Sequence, residues 1–430
     1  MKLALLVCLV CAVSGLTASA FAADAPDAGP YVRWSRGPST DPSFFPLAVW
    51  AQSPANAEQY RAAGVNVYVS LHRGPTEAQI AQLKAAGMKV VCHLNDYARA
   101  NIEDPVFIAW MHGDEPDNAR QSESVWNRDA EKIRQHWPEY SLEEARRIAE
   151  GMWGPGYGPA QIYAGYEQLK RDDPSRPVLL NLGQSVAYTD WGGRGPRTRH
   201  TEDYPRYTRA CDIVSFDIYP ANHSVAKYRG QLWYVPFGVS RLNTWGQGEK
   251  IVWNCVEVSP INLDDNRSHI PTGREVRNEV WSAIIHGSRG IIYFCHQFQP
   301  QFNDHFVLTH DELREPFTKL NHQVQSLAPV INAPVIENLA TVWYADPDVP
   351  VKATFRSRDG YVYIFAAAMR EGRTKARFTV YGIGENAEVE VIDEGRTITC
   401  TGRTFEDDFA DWDVHLYRIK ADGHEGFAQP

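Results

Sequence analysis

Two apolar runs in this chain end on a bare carboxylate. The first, "FIAWMHGDEPDN" (107–118), passes straight into Gly113, Asp114, Glu115 and Pro116. The second, "IVWNCVEVSP" (251–260), carries Glu257 with no basic neighbour in sequence. A carboxylate at the end of a buried strand is costly unless something pairs or uses it. Two such groups facing each other can break a glycosidic bond. One holds a proton for the leaving oxygen, and the other attacks, or activates water, on the opposite face of the sugar. The two need different surroundings, so that one stays protonated and the other charged. Asp114, adjacent to Glu115, supplies a negative charge that raises the pKa of Glu115. That makes Glu115 the acid/base and Glu257 the nucleophile. Asp217, in "DIYP" (217–220), leaves a second pairing open, Asp114 with Asp217 on α-linked sugars and Glu257 structural.

These residues need a scaffold that brings strand ends together. Between 44 and 298 one unit recurs, a short apolar run followed by a stretch of helical period. The runs are 44–51, 64–71, 87–94, 106–113, 177–183, 212–219, 251–258 and 290–298. They are β-branched or aromatic and nearly continuously apolar, as parallel strands covered on both faces are. Eight strand-then-helix units predict an α/β fold, a (β/α)8 TIM barrel over 44–330. Such barrels keep their chemistry at the C-terminal strand ends, where 114–115 and 257 fall. No GxGxxG or GxxxxGK[ST] loop follows any strand, which argues against nucleotide binding. Long loops after strands four, five and six gather aromatics for the mouth, with Trp153, Trp191, Trp233 and Trp245 as candidates to touch substrate. From 331 to 430 the texture changes to short alternating runs with turns every eight to twelve residues, a small all-β sandwich expected to pack on the barrel.

Composition narrows the class. The first 22 residues, Lys2 followed by an apolar run and "AFAADAP", read as a signal peptide and predict a secreted or periplasmic protein. Residues 23–43 look like an irregular lead-in. No later stretch is long and apolar enough to span a membrane. With 43 basic and 53 acidic side chains, the formal charge of −10 disfavours nucleic acid and strongly anionic polymers as partners. Past the leader, Cys92, Cys211, Cys255, Cys295 and Cys400 form no CxxC pair and read as buried hydrophobes. His72, His93, His112, His223 and His296 raise a metal-dependent hydrolase, but strand one has no HxH pair, so sugar contacts or packing are favoured and no metal is expected.

The pattern resembles the clan A glycoside hydrolases. "GDEP" at 113–116 and "CVEVSP" at 255–260 occupy the strand-four and strand-seven places of that clan's two catalytic glutamates. The resemblance implies a retaining enzyme that cleaves a β-linked poly- or oligosaccharide by double displacement and needs no cofactor. "DIYP" is similar to the strand-six motif whose tyrosine, here Tyr219, hydrogen-bonds the nucleophile. The clan's Asn before the acid/base is Asp114 in this chain, and its strand-eight Trp is absent from "YFCHQF", leaving His296 and Gln297 as candidates there. Asp217, Asn181, His112 and Trp50 complete the expected sugar contacts. A carbohydrate-binding protein on a decayed barrel is the rival from another class. Sugar identity and oligomeric state stay open.

Overall fold

The computed structural model describes residues 29–121, 125–263 and 268–422; the leader at 1–22 lies outside them. Eight parallel strands form the barrel: Leu47–Trp50, Val67–Val69, Lys89–Cys92, Phe107–Asp114, Val178–Leu182, Ile213–Phe216, the split seventh strand, and Ile291–Phe294. The seventh strand comes in two pieces, Ile251–Val252 and Asn254–Glu257. Its first piece pairs with strand six and its second with strand eight. The sheet therefore begins and ends on the same strand, and the ring closes at Trp253.

Helices cover the outside where the sequence supplies caps. Thr76 with Gln79 opens Glu77–Ala85, and Thr272 with Glu275 opens Gly273–Ile285, each pair satisfying two orphan amides reciprocally. After strand three only a five-residue helix forms, Asp96–Ala100. After strand five a string of 3-10 turns replaces a long helix. All five cysteines are free and buried. Among the described residues no helix is long and apolar enough to cross a membrane.

The lead-in, expected to be irregular, has a definite task. Over 29–43 its backbone is mostly turns, but Tyr31 and Trp34 are buried with the barrel's inner side chains, among them Val67, Ile108, Ile251 and Trp253. The indole of Trp253 donates to the Tyr31 hydroxyl (2.9 Å), which donates to the carbonyl of Arg289 (2.9 Å), just before strand eight. The lead-in thus plugs the N-terminal end of the barrel. Gly290 lets the Trp253 ring lie close, since a Cβ there would meet it at 2.8 Å.

The C-terminal domain is a sandwich. A three-stranded sheet (Ala340–Tyr344, Thr374–Val380, Thr404–Phe409) faces a five-stranded one (Val351–Arg358, Tyr361–Ala368, Val414–Lys420, Glu388–Val391, Arg396–Thr399). The outer face of the larger sheet offers Phe365, Ala367 and Leu416 to the barrel's own core. There Trp281 meets Phe365 (ring centroids 5.0 Å apart), and the Asn278 amide donates to the carbonyls of Ala368 and Trp412.

Beneath strands four and five, Arg176 is fully buried. Its guanidinium donates to Asp173 (2.8 Å) and to the carbonyl of Phe107 (2.8 Å), while the Trp110 indole donates to the same carboxylate (2.9 Å). Removing one partner leaves a buried charge unpaired. Asp173→Ala is therefore expected to cost about 3–5 kcal/mol in urea unfolding; a loss below about 1 kcal/mol would mean that the guanidinium finds other partners.

Candidate active site

The fourth strand does not deliver its carboxylates by simple alternation. Its register against strand five shifts between Met111 and Gly113, so His112 is an extra residue in the ladder. Such a bulge re-aims the side chains that follow it. Glu115 then takes φ +43°, a left-handed conformation disfavoured for a residue with a Cβ. Two backbone bonds hold it there: its amide donates to the Asn181 carbonyl (2.9 Å), and its carbonyl accepts from Asn118 (3.2 Å). Strain of this kind persists where surrounding structure enforces it.

Asn181, at the end of strand five, organises the mouth. It is 0% exposed, and its amide nitrogen donates to Asp114 (2.9 Å) and to Asp217 (2.8 Å). Its carbonyl oxygen accepts from the Ser215 hydroxyl (2.7 Å) and the Cys255 thiol (3.7 Å). Strands four, five, six and seven thus meet at one side chain. Glu115, Asp217 and Asp114 each have raised pKa values. Burial pushes Glu115 furthest, to about 10, reinforced by the charges of Asp217, Asp117 and Asp114. Burial and then Asp114 raise Asp217 to about 6, against hydrogen bonds from Asn181 and Tyr219. Asp114 is raised too, chiefly by its packed surroundings, although its side chain is open to solvent, which tempers the effect.

Glu257, expected to face Glu115 across the mouth, is sealed from solvent at 0% exposure. Its oxygens accept from the Ala221 amide (2.6 Å), the Asn222 amide (3.2 Å) and the Asn222 side chain (3.0 Å), all in the loop after strand six. Burial raises its pKa to about 8, with Glu275 behind it adding to the shift. Tyr219, expected to bond Glu257, hydrogen-bonds Asp217 and lies under the charges of Asp217, Glu115 and Asp114.

His112, expected to touch sugar, turns outward. Its ring bonds the Ile162 carbonyl (2.6 Å) and fills the space that a Cβ at Gly165 would need. Trp50 packs against the barrel's inner cluster. Gln297 spends its amide on the Gln301 carbonyl (2.9 Å) within its own loop. His296 is 8% exposed, and its Nδ1 has no hydrogen-bond partner among the described residues. Trp245 stacks on Tyr204 and Trp233 on Tyr234, while Trp191 lies edge-on to His223; Trp153 is half exposed.

Two residues that the sequence reading passed over belong to the site. Asp117 is buried, takes hydrogen bonds from the Gly183 amide and the Tyr204 hydroxyl, and raises the pKa of Glu115. The Asn118 side chain donates to Glu115. Both lie in the quoted "GDEPDN", where the density of acids was the available signal. Among the described residues no group of three or more His, Cys, Asp or Glu is placed to hold a metal ion.

No family model and no curated protein matches the chain. Solved structures do. A catalytic mutant of a GH42 β-galactosidase from G. stearothermophilus is similar with TM-score 0.53 and 10% identity, covering 91% of this chain and 100% of that one. A second structure of that enzyme gives TM-score 0.54 and 10% identity over 87% and 98%. Against the β-galactosidase from the psychrophilic Marinomonas ef1 the values are 0.43 and 13%, over 66% of this chain and 60% of that one. The likeness to the two GH42 structures is one of fold: this chain, like them, is a (β/α)8 barrel with an added β domain.

Proposed function

We propose that the protein is a glycoside hydrolase, working outside the cytoplasm, with Glu115 as its acid/base and Asp217 as its ionised partner. The observation that carries this reading is one pair of carboxyl groups in one mouth, both raised but to unequal degrees. Glu115 is held protonated by burial and by three acidic neighbours. Asp217 is kept closer to the ordinary carboxylate range by hydrogen bonds from Asn181 and Tyr219. Glu115 gives its proton to the leaving glycosidic oxygen. Asp217 bonds to the anomeric carbon as the glycosidic bond breaks, and water, deprotonated by Glu115, then displaces the Asp217 carboxylate. The retaining, two-step course implied by the clan needs a carboxylate that reaches the anomeric carbon. Asp217 borders the mouth, whereas Glu257 is enclosed. Asp217 therefore takes the nucleophile's part, and Glu257 braces the loop behind it. Asp114 and Asn181 are left to set the charge and position of the pair.

The test is sugar release from starch, xylan, galactan and α- and β-linked aryl glycosides by wild type, Glu115→Gln, Asp217→Asn and Glu257→Gln. Glu115→Gln and Asp217→Asn are each expected to lower kcat by about 10²–10⁴. An Asp217→Asn variant that keeps its activity while Glu257→Gln loses it would return the nucleophile to strand seven. Release by none of the proteins, with binding retained, would make the barrel a carbohydrate-binding module.

The pH profile of kcat/KM follows from the same pair. The active form has Asp217 charged and Glu115 neutral, so activity should rise as pH passes about 6 and fall as it approaches about 10. Asp114 raises both groups, so Asp114→Asn should move both limbs to lower pH. A profile in which only one limb moves would show that Asp114 acts on one partner alone.

A further inference from the structure

Beyond the acids, the barrel mouth carries a feature that the chemistry does not use. The loop after strand eight exposes two phenylalanines, Phe298 at 47% and Phe302 at 66%. They belong to a cluster of rings that leads outward from the acid pair. Tyr219, which bonds Asp217, lies 4.8 Å from Phe294 between ring centroids. Phe294 lies 5.0 Å from His296, and His296, Phe298 and Phe302 stand 6.1–6.2 Å from one another. The His296 and Phe298 planes are within 13° of parallel.

The loop that presents these rings is pinned. Gln297 and Asn303 exchange backbone hydrogen bonds (2.8 and 2.9 Å), and the Phe298 amide donates to the Ile261 carbonyl (2.6 Å). Two large apolar rings are thus kept in water on a fixed hairpin, an arrangement that marks a surface with a partner. Beside them His296 is almost wholly buried with Nδ1 unpaired. Burial lowers its pKa and favours the neutral imidazole.

We propose that Phe298 and Phe302 form a stacking platform for a neutral polysaccharide chain, seating sugar units beyond the bond that is cleaved. This rests on the glycosidase reading for the position of that bond. Aromatic faces bind the apolar C–H faces of sugar rings. Continuity with Asp217 through Tyr219 and Phe294 places the occupant in line with the acids rather than on an unrelated patch. The chain's formal charge of −10 favours an uncharged polymer over an acidic one. The platform assigns the enzyme to long substrates, because a monosaccharide glycoside seated at the acids leaves both phenylalanines bare.

The experiment compares the full chain with Phe302→Ala and with Phe298→Ala/Phe302→Ala on the polysaccharide that wild type cleaves and on an aryl glycoside. KM for the polymer should rise about tenfold in the double variant, with kcat and KM on the aryl glycoside unchanged. Equal losses on both substrates would mean that the rings only prop up the site, and no change on either would leave them no role; each overturns the proposal. If wild type cleaves nothing, electrophoresis through gels cast with soluble starch, xylan or galactan separates the two readings. Wild type retarded and the double variant released would sustain the platform while the hydrolase falls; no retardation of wild type would overturn the platform as well. A dimer in light scattering that the double variant dissolves would assign the rings to a second copy of the chain, and would also overturn it.

Discussion

A single neutral amide governs how this barrel mouth is charged. Carboxylates at neighbouring strand ends repel one another, and a buried one is costly to ionise. Asn181 answers both problems with the two hydrogens of one nitrogen, one for Asp114 and one for Asp217. Its own orientation is fixed from below by Ser215 and Cys255, which donate to its oxygen. Glu115 receives no such help from Asn181's side chain. It is bonded by Asn118 but surrounded by three acids, so the proton that the site holds most firmly belongs there. The separation between a protonated and an ionised carboxyl thus comes from how donors are distributed as much as from burial.

The rest of the mouth keeps that amide and its partners in place. The bulge at His112 sets which way the end of strand four faces, and His112 itself is anchored outward on the helix Pro159–Asp172. On the far side Glu257 accepts three hydrogen bonds from Ala221 and Asn222, so the loop that begins with Asp217 is tied to the end of strand seven. A carboxylate used in this way serves as an acceptor for backbone amides that have no helix or sheet partner. The break at Trp253 lets one strand bond both neighbours and complete the ring without a ninth strand.

Much of this was legible in the residues. Runs such as 106–113 and 251–258 are apolar on both faces, and that pattern, with their shortness and the helical stretches between them, located all eight strands. The sandwich was equally plain from its alternation. The position of Glu115 at a strand end was legible too; Asp114 beside it gave the direction of its pKa shift, but burial, the larger cause, was not written in the sequence. What the sequence concealed was direction. A one-residue bulge at 112 cannot be read from composition, and it reverses the side on which later residues fall. Glu257 looked bare because its donors, Ala221 and Asn222, lie about 35 positions away and donate mainly from the backbone, which every residue possesses. Tyr31 and Trp34 looked irregular for a related reason: their contacts lie at the opposite end of the barrel sequence.

That distance bears on the order in which the protein can assemble. Tyr31 bonds Trp253, 222 residues later, and strand one pairs directly with strand eight. The bottom of the barrel therefore stays open, and its first strand keeps one unpaired edge, until nearly three hundred residues have been made. Contacts of such long range form slowly, and the partial ring exposes apolar surface while it waits. A chain built this way holds off its native state until the last barrel strand has been made.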